Sequence, residues 1–257
     1  MINFFSQLSP LIQTLIASSG TLLLTALGAS MVFLFKDINK DKMDRLLSLS
    51  AGIMLASTIF SLINPAISYS ENLNLTPWII CGIGILTGGL LLFVGDKLYQ
   101  RSKKSSRMNM VIFSITMHNF PEGMAVGVAL GSVVHGMPGA TLIGALTLAL
   151  GIGLQNFPEG SAISFPLYRE GYSKWRAFLI GTATAAVEPV GALIGLFLAI
   201  KLPFLLPLLL AFAAGAMLYV IVVELIPESM TNEKKDLMAL FLIIGFIIMM
   251  ILDISFG

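Results

Sequence analysis

The chain has 257 residues, of which 56% are hydrophobic and 11% charged, and its mean hydropathy is +0.91. A soluble domain carries about 25% charged residues, so the composition describes a membrane protein. A net charge of +1 excludes the basic stripe of a nucleic-acid binder, and a lone cysteine, Cys81, excludes an intramolecular disulfide or a thiolate metal cluster.

A spanning helix needs about 20 mostly apolar residues. Eight segments qualify, at roughly 8–35, 46–68, 76–98, 108–132, 139–166, 174–200, 203–227 and 237–255. The opening MINFFSQLSPLIQTLIASSG has no Lys or Arg ahead of its apolar run, so it is read as part of span 1 rather than as a cleaved signal. The joints gather charge, as in KDINKDKMDR (36–45) and KLYQRSKKSSR (97–107), and Pro77, Pro138 and Pro203 mark the other joints. Spans 4 and 5 carry near-identical motifs, HNFPEG at 118–123 and QNFPEG at 155–160. Span 6 carries ATAAVEPVGALIG around Glu188, and span 7 holds Glu224. Trp78 and Trp175 lie at span ends, where indole rings favour the membrane interface. No linker is long enough to separate domains. Residues 1–257 are therefore expected to form one all-α polytopic unit of eight transmembrane helices.

Orientation follows from Lys and Arg. Of the 15 basic residues, 14 fall in the joints 1–2, 3–4, 5–6 and 7–8, and Lys201 alone falls on the other side. The positive-inside rule then puts those joints in the cytoplasm and both termini outside.

Within the spans stand His118, Glu122, Glu159, Glu188 and Glu224, with Asp96 and Asp253 near span ends. A charge at the bilayer centre costs about 2.5–3.5 kcal/mol on insertion scales, so such residues usually face the bundle interior and serve function. At about 1.5 Å per residue, His118 lies about 15 Å along span 4 and Gln155 about 21 Å along span 5, so the motifs reach similar depth from opposite sides. His118 and Glu122 are four apart and Asn119 and Glu122 three apart, which puts them on one helix face. Gln155, Asn156 and Glu159 repeat that arrangement. Pro121 and Pro158 lack an N–H, which frees the carbonyls of Met117 and Leu154 and predicts a kink in each helix. Gly123 and Gly160 leave room for a neighbouring helix. Imidazole, amide and carboxylate groups at mid-membrane form a ligand set for a divalent cation, and a cation between two Glu relieves their repulsion. Protons leave as such an ion binds. Glu188, followed by proline, reads as a bridging ligand.

HNFPEG on span 4, QNFPEG on span 5, EPVGALIG on span 6 and GAMLYVIVVELIPES on span 7 resemble the ZIP (Zrt/Irt-like) family of divalent-metal transporters, in its compact bacterial branch. The resemblance covers essentially the whole chain. It implies a binuclear centre with His118, Glu122, Gln155 and Glu159 at one metal site and Asn119, Glu122, Asn156, Glu159 and Glu188 at the other. Met54 on span 2 is the candidate for an additional ligand of the first site. Asp96 and Glu224 resemble acidic residues of the cytoplasmic exit. The resemblance further implies a homodimer in the cytoplasmic membrane that takes up Zn²⁺, with Fe²⁺, Mn²⁺ or Cd²⁺ as further substrates. Spans 1, 4, 5 and 6 would slide as one bundle against spans 2, 3, 7 and 8. Ala51, Gly52, Gly82, Gly84, Gly88 and Gly89 on spans 2 and 3 permit the close, smooth packing that sliding needs, and they permit static packing equally well. Many relatives carry His where this chain has Gln155 and a charge where it has Asn156, and the 3–4 joint here lacks a His-rich loop. The remaining histidine, His135, reads as a solvated outer-loop residue.

Two other readings are distinct. A metal-selective channel would use the same ligands. An intramembrane zinc hydrolase is disfavoured, because catalytic zinc often takes several His, and the chain has two His and no HExxH.

Overall fold

The computed structural model describes residues 5–35, 39–100 and 107–256. Lys36, Arg101, Lys103 and Lys104, used above for orientation, lie outside the described residues. Eight helical rods follow in chain order. Helix α1 is Pro10–Leu34, opened by Ser9, whose hydroxyl accepts from the Ile12 N–H. Helix α2 runs Lys40–Asn72 and α3 Pro77–Gln100. Helices α4 (Arg107–Val134) and α5 (Leu142–Arg169) are each 28 residues long. Helix α6 is Lys174–Lys201, α7 is Pro203–Ser229 and α8 is Lys235–Phe256. Among the described residues there is no β-strand.

Six rods, α1, α2, α3, α6, α7 and α8, are long and apolar enough to cross a membrane. The other two, α4 and α5, match them in length but carry the polar motifs at their middles. Both continue as helix through Pro121 and Pro158. The visible irregularities fall elsewhere. Helix α2 widens to a π-helix at Thr58–Ile63 and α7 at Ile221–Leu225. Each ends two residues before a proline, Pro65 or Pro227. The carbonyl four residues before each proline, at Ser61 and Val223, falls inside the π segment, where the wider turn absorbs the missing bond. Helix α6 tightens to a 3₁₀ turn at Thr184–Ala186, just ahead of Glu188 and Pro189.

The rods sort into two groups of four. Helix α4 lies along α6 and α1 along α5, with further α1–α6, α5–α6 and α4–α5 contacts. Helix α3 lies along α7 and α2 along α8, with α2 also against α7. The groups meet chiefly where α2 touches α5 and α4 touches α7.

Missing side chains set this partition. A Cβ added at Gly160 would lie 2.1 Å from the Thr25 carbonyl oxygen, joining α5 to α1, and one at Gly123 would lie 2.1 Å from the Glu188 carbonyl, joining α4 to α6. In the other group, Gly52 meets the Leu242 carbonyl at 1.9 Å and Gly88 the Phe212 carbonyl at 2.0 Å by the same construction. These backbone-to-backbone contacts stay inside one group. Of the two roles open to the small residues on α2 and α3, these contacts match static packing: Gly52 seats α8, Gly84 and Gly88 seat α7, and Gly82 has nothing within 4 Å. At the boundary, Gly151 of α5 faces flexible atoms instead, the Met249 side chain on α8 and the Ser57 hydroxyl on α2. Trp78 and Trp175 are exposed near the starts of α3 and α6, as expected of interfacial indoles.

Replacing Gly160 by Val should destabilise the folded protein by about 3 kcal/mol or more, because backbone rather than a flexible tip blocks the added atoms. Replacing Gly20, which has nothing within 4 Å of its added Cβ, by Ala should stay within about 0.5 kcal/mol. Thermal unfolding of the detergent-purified variants, followed by size-exclusion fluorescence, reads the difference.

Candidate metal centre

The polar residues of α4, α5 and α6 converge inside the first group of helices. His118, Asn119, Glu122, Gln155, Asn156, Glu159 and Glu188 are each no more than 2% exposed. Two features bring them together. The three- and four-residue spacings put each motif's donors on one face. The glycine that closes each motif then lets a second helix lie directly against that face, α6 on Gly123 and α1 on Gly160.

The two motifs exchange bonds reciprocally. His118 Nε2 on α4 lies 3.3 Å from Glu159 Oε2 on α5. In return, Gln155 Nε2 on α5 donates to Glu122 Oε1 on α4 at 2.6 Å. Asn156 Nδ2 donates to Glu188 Oε1 on α6 at 2.9 Å, and the Thr21 hydroxyl on α1 bonds the other oxygen, Oε2. The second helix group reaches in twice. Glu224 Oε2 on α7 lies 3.6 Å from His118 Nδ1, and Ser50 Oγ on α2 donates to the Gln155 backbone carbonyl at 3.0 Å.

Several oxygens are left over. Asn119 Oδ1, Glu122 Oε2, Gln155 Oε1, Asn156 Oδ1 and Glu159 Oε1 are buried with no hydrogen-bond partner. A buried acceptor without a partner costs about 1–3 kcal/mol, so their concentration at one place requires a reason. All five are hard oxygen donors, and His118 adds an imidazole. That set fits a divalent cation. Among the described residues, no three His, Cys, Asp or Glu side chains come close enough to hold one ion by themselves. The carboxylates are interleaved with amides, so any ligand shell here has to recruit Asn119, Gln155 or Asn156.

The remaining sequence candidates fall as follows. Met54 is fully buried on α2, one turn after the Ser50 that touches α5. Glu224 stands nearer the centre than an exit residue need be, against His118. Asp96 Oδ2 accepts from Tyr219 Oη at 2.9 Å, which ties α3 to α7. His135 lies apart from the centre, its Nε2 3.0 Å from the Ile200 carbonyl. Reading the spans for charge missed Thr21 and Ser50. A signal for Thr21 existed: Thr14, Ser18, Thr21 and Thr25 recur at helical spacing along span 1 and are buried in the structure.

Known proteins carry the same pattern. The family model described as ZIP Zinc transporter matches residues 100–253. The zinc transporter GufA of Myxococcus xanthus is 35% identical, over 96% of this chain and 98% of its own length. The zinc transporter ZIP11 of Xenopus tropicalis is 32% identical over 97% of this chain and 98% of its own. The zinc transporter ZIPB of Bordetella bronchiseptica is 33% identical over 91% of this chain and 78% of its own. A family model that matches more than half of the chain and relatives that match it nearly end to end place it in the ZIP family of zinc transporters.

Proposed function

We propose that the protein carries Zn²⁺ across the cytoplasmic membrane into the cytoplasm, as one transporter unit over 1–257, and that the centre formed by the two motifs is its transport site. It is a transporter and not an enzyme. Fe²⁺, Mn²⁺ and Cd²⁺ are the further substrates; imidazole suits iron, and carboxylate and amide oxygens suit manganese. The observation that carries this reading is the reciprocal bonding of α4 and α5 around buried oxygens that lack partners. A cation satisfies those oxygens at once and replaces the His118–Glu159 and Gln155–Glu122 contacts.

His118, Glu122, Gln155 and Glu159 are the first metal site, with Met54 as a further ligand. Asn119, Glu122, Asn156, Glu159 and Glu188 are the second. Glu224 takes the ion toward the cytoplasm, with Asp96 further along that path. Both termini face outside, and the transporter works as a homodimer in lipid. With neutral amides at Gln155 and Asn156, the site carries less negative charge and less imidazole than many relatives and selects its metal more broadly.

Movement follows the partition of the helices. The site's principal residues sit on α1, α4, α5 and α6, which are held together by backbone contacts, and at Gly151 the second group meets them through the Met249 and Ser57 side chains. The first group therefore moves as a rigid carriage against α2, α3, α7 and α8, exposing the site to each side in turn. A channel with the same ligands would need no such movement.

Two expectations test this. In proteoliposomes, Glu122→Ala and Glu159→Ala should each lower ⁶⁵Zn²⁺ flux by about tenfold or more in protein that still folds, since each removes a direct ligand and direct ligands weigh at least as much as the outer partners whose loss costs 10–100-fold. Unchanged flux in both would remove the motifs from the pathway. Gly151→Leu places bulk where α5 passes Met249 and Ser57. It should stop flux while equilibrium zinc binding persists. Flux that survives this change would favour the channel.

A further inference from the structure

We propose that Thr21, on α1, is a positioning residue for Glu188, an inference that rests on the transport-site reading above. Hydroxyls on this helix mostly bond back to a carbonyl of their own chain, as Ser18 Oγ does to the Thr14 carbonyl at 2.7 Å. Thr21 has that option too, with the Ser18 carbonyl at 2.8 Å. It also has a second acceptor 167 residues away, Glu188 Oε2 on α6. The hydroxyl has one proton to give, and a fully buried carboxyl oxygen left unbonded costs more than releasing a carbonyl that already serves its own helix, so Glu188 Oε2 takes it. Glu188 is fully buried, and its two oxygens are then held from two sides, Oε2 by Thr21 and Oε1 by Asn156 Nδ2.

The position of α1 is fixed independently of this bond. The Thr25 carbonyl, one turn from Thr21, lies where a Cβ of Gly160 would be, 2.1 Å away. The same glycine that closes the α5 motif thus sets the height at which Thr21 meets Glu188. The bond persists when an ion binds: Thr21 keeps Oε2 in place while Oε1 exchanges the Asn156 amide for the ion. Thr21 orients a ligand without touching the metal, the work that outer partners do at metal sites.

The test compares Thr21→Val, which keeps the shape and removes the hydroxyl, with Thr21→Ser, which keeps the hydroxyl, in ⁶⁵Zn²⁺ flux with Glu122→Ala alongside. Thr21→Val should raise the zinc KM about tenfold, the lower end of the cost of losing such a partner, with Vmax within about twofold, and Thr21→Ser should match wild type. In equilibrium zinc binding, Thr21→Val should weaken affinity by a similar factor in wild type and add nothing in a Glu188→Gln background. Where Thr21→Val folds poorly, Thr21→Ala serves in its place. An unchanged KM in Thr21→Val, or equal losses in Thr21→Val and Thr21→Ser, overturns the proposal while loss of flux in Glu122→Ala leaves the transport site standing. Full flux in Glu122→Ala would remove the site itself, and Thr21 with it.

Discussion

Two contacts cross between the motif helices, His118 with Glu159 and Gln155 with Glu122. Each motif lends the other a partner, so neither is complete alone. This exchange explains why the chain places nearly the same six residues on successive antiparallel helices. Buried charge in a membrane is tolerated when it is paired and turned inward. Here the pairing falls short by several oxygens, and that shortfall is what a transported ion can fill. A fully satisfied network would hold the helices together but would have little reason to bind anything else.

The glycines connect this centre to the architecture. Gly123 and Gly160 occupy equivalent places in the two motifs, and each accepts the backbone of a different neighbour, α6 or α1. Those neighbours bring the third carboxylate and the hydroxyl that holds it. Packing and the supply of the centre's polar groups are therefore one device. On the proposed mechanism this matters for transport, because a carriage that travels must keep its ligand geometry while its surroundings change. Backbone contacts give that rigidity, and the side-chain contacts at the boundary, such as Met249 over Gly151, can rearrange at lower cost.

Much of this was legible in the sequence because the signals were strong and local. Runs of apolar residues gave eight rods, and the repeated motif located the centre, since charge in such runs is too costly to be incidental. Gly123 and Gly160 were read as contact points for other helices and are so. What stayed hidden depended on which helices become neighbours. The glycines of α2 and α3 admit either a sliding or a static neighbour, and periodicity alone does not say which partner a glycine takes; in the structure the partners are α7 and α8. Thr21 was overlooked because a hydroxyl in an apolar span has a local carbonyl to bond, so nothing in its own segment points to Glu188. The π segments in α2 and α7 were not anticipated, although each ends two residues before a proline, while Pro121 and Pro158 leave their helices unbroken.

The chain has two histidines, His118 at the centre and His135 in the outer joint, and this makes the central claim directly measurable. X-ray absorption at the zinc edge of the purified, zinc-loaded protein should show a first shell of oxygen and nitrogen at about 2.0–2.2 Å with at most one imidazole per zinc and a longer sulfur contribution from Met54, and that signal should vanish in the Glu122→Ala, Glu159→Ala double variant. A shell with two imidazoles, or one unaffected by removing both carboxylates, would contradict the claim that the paired motifs hold the ion.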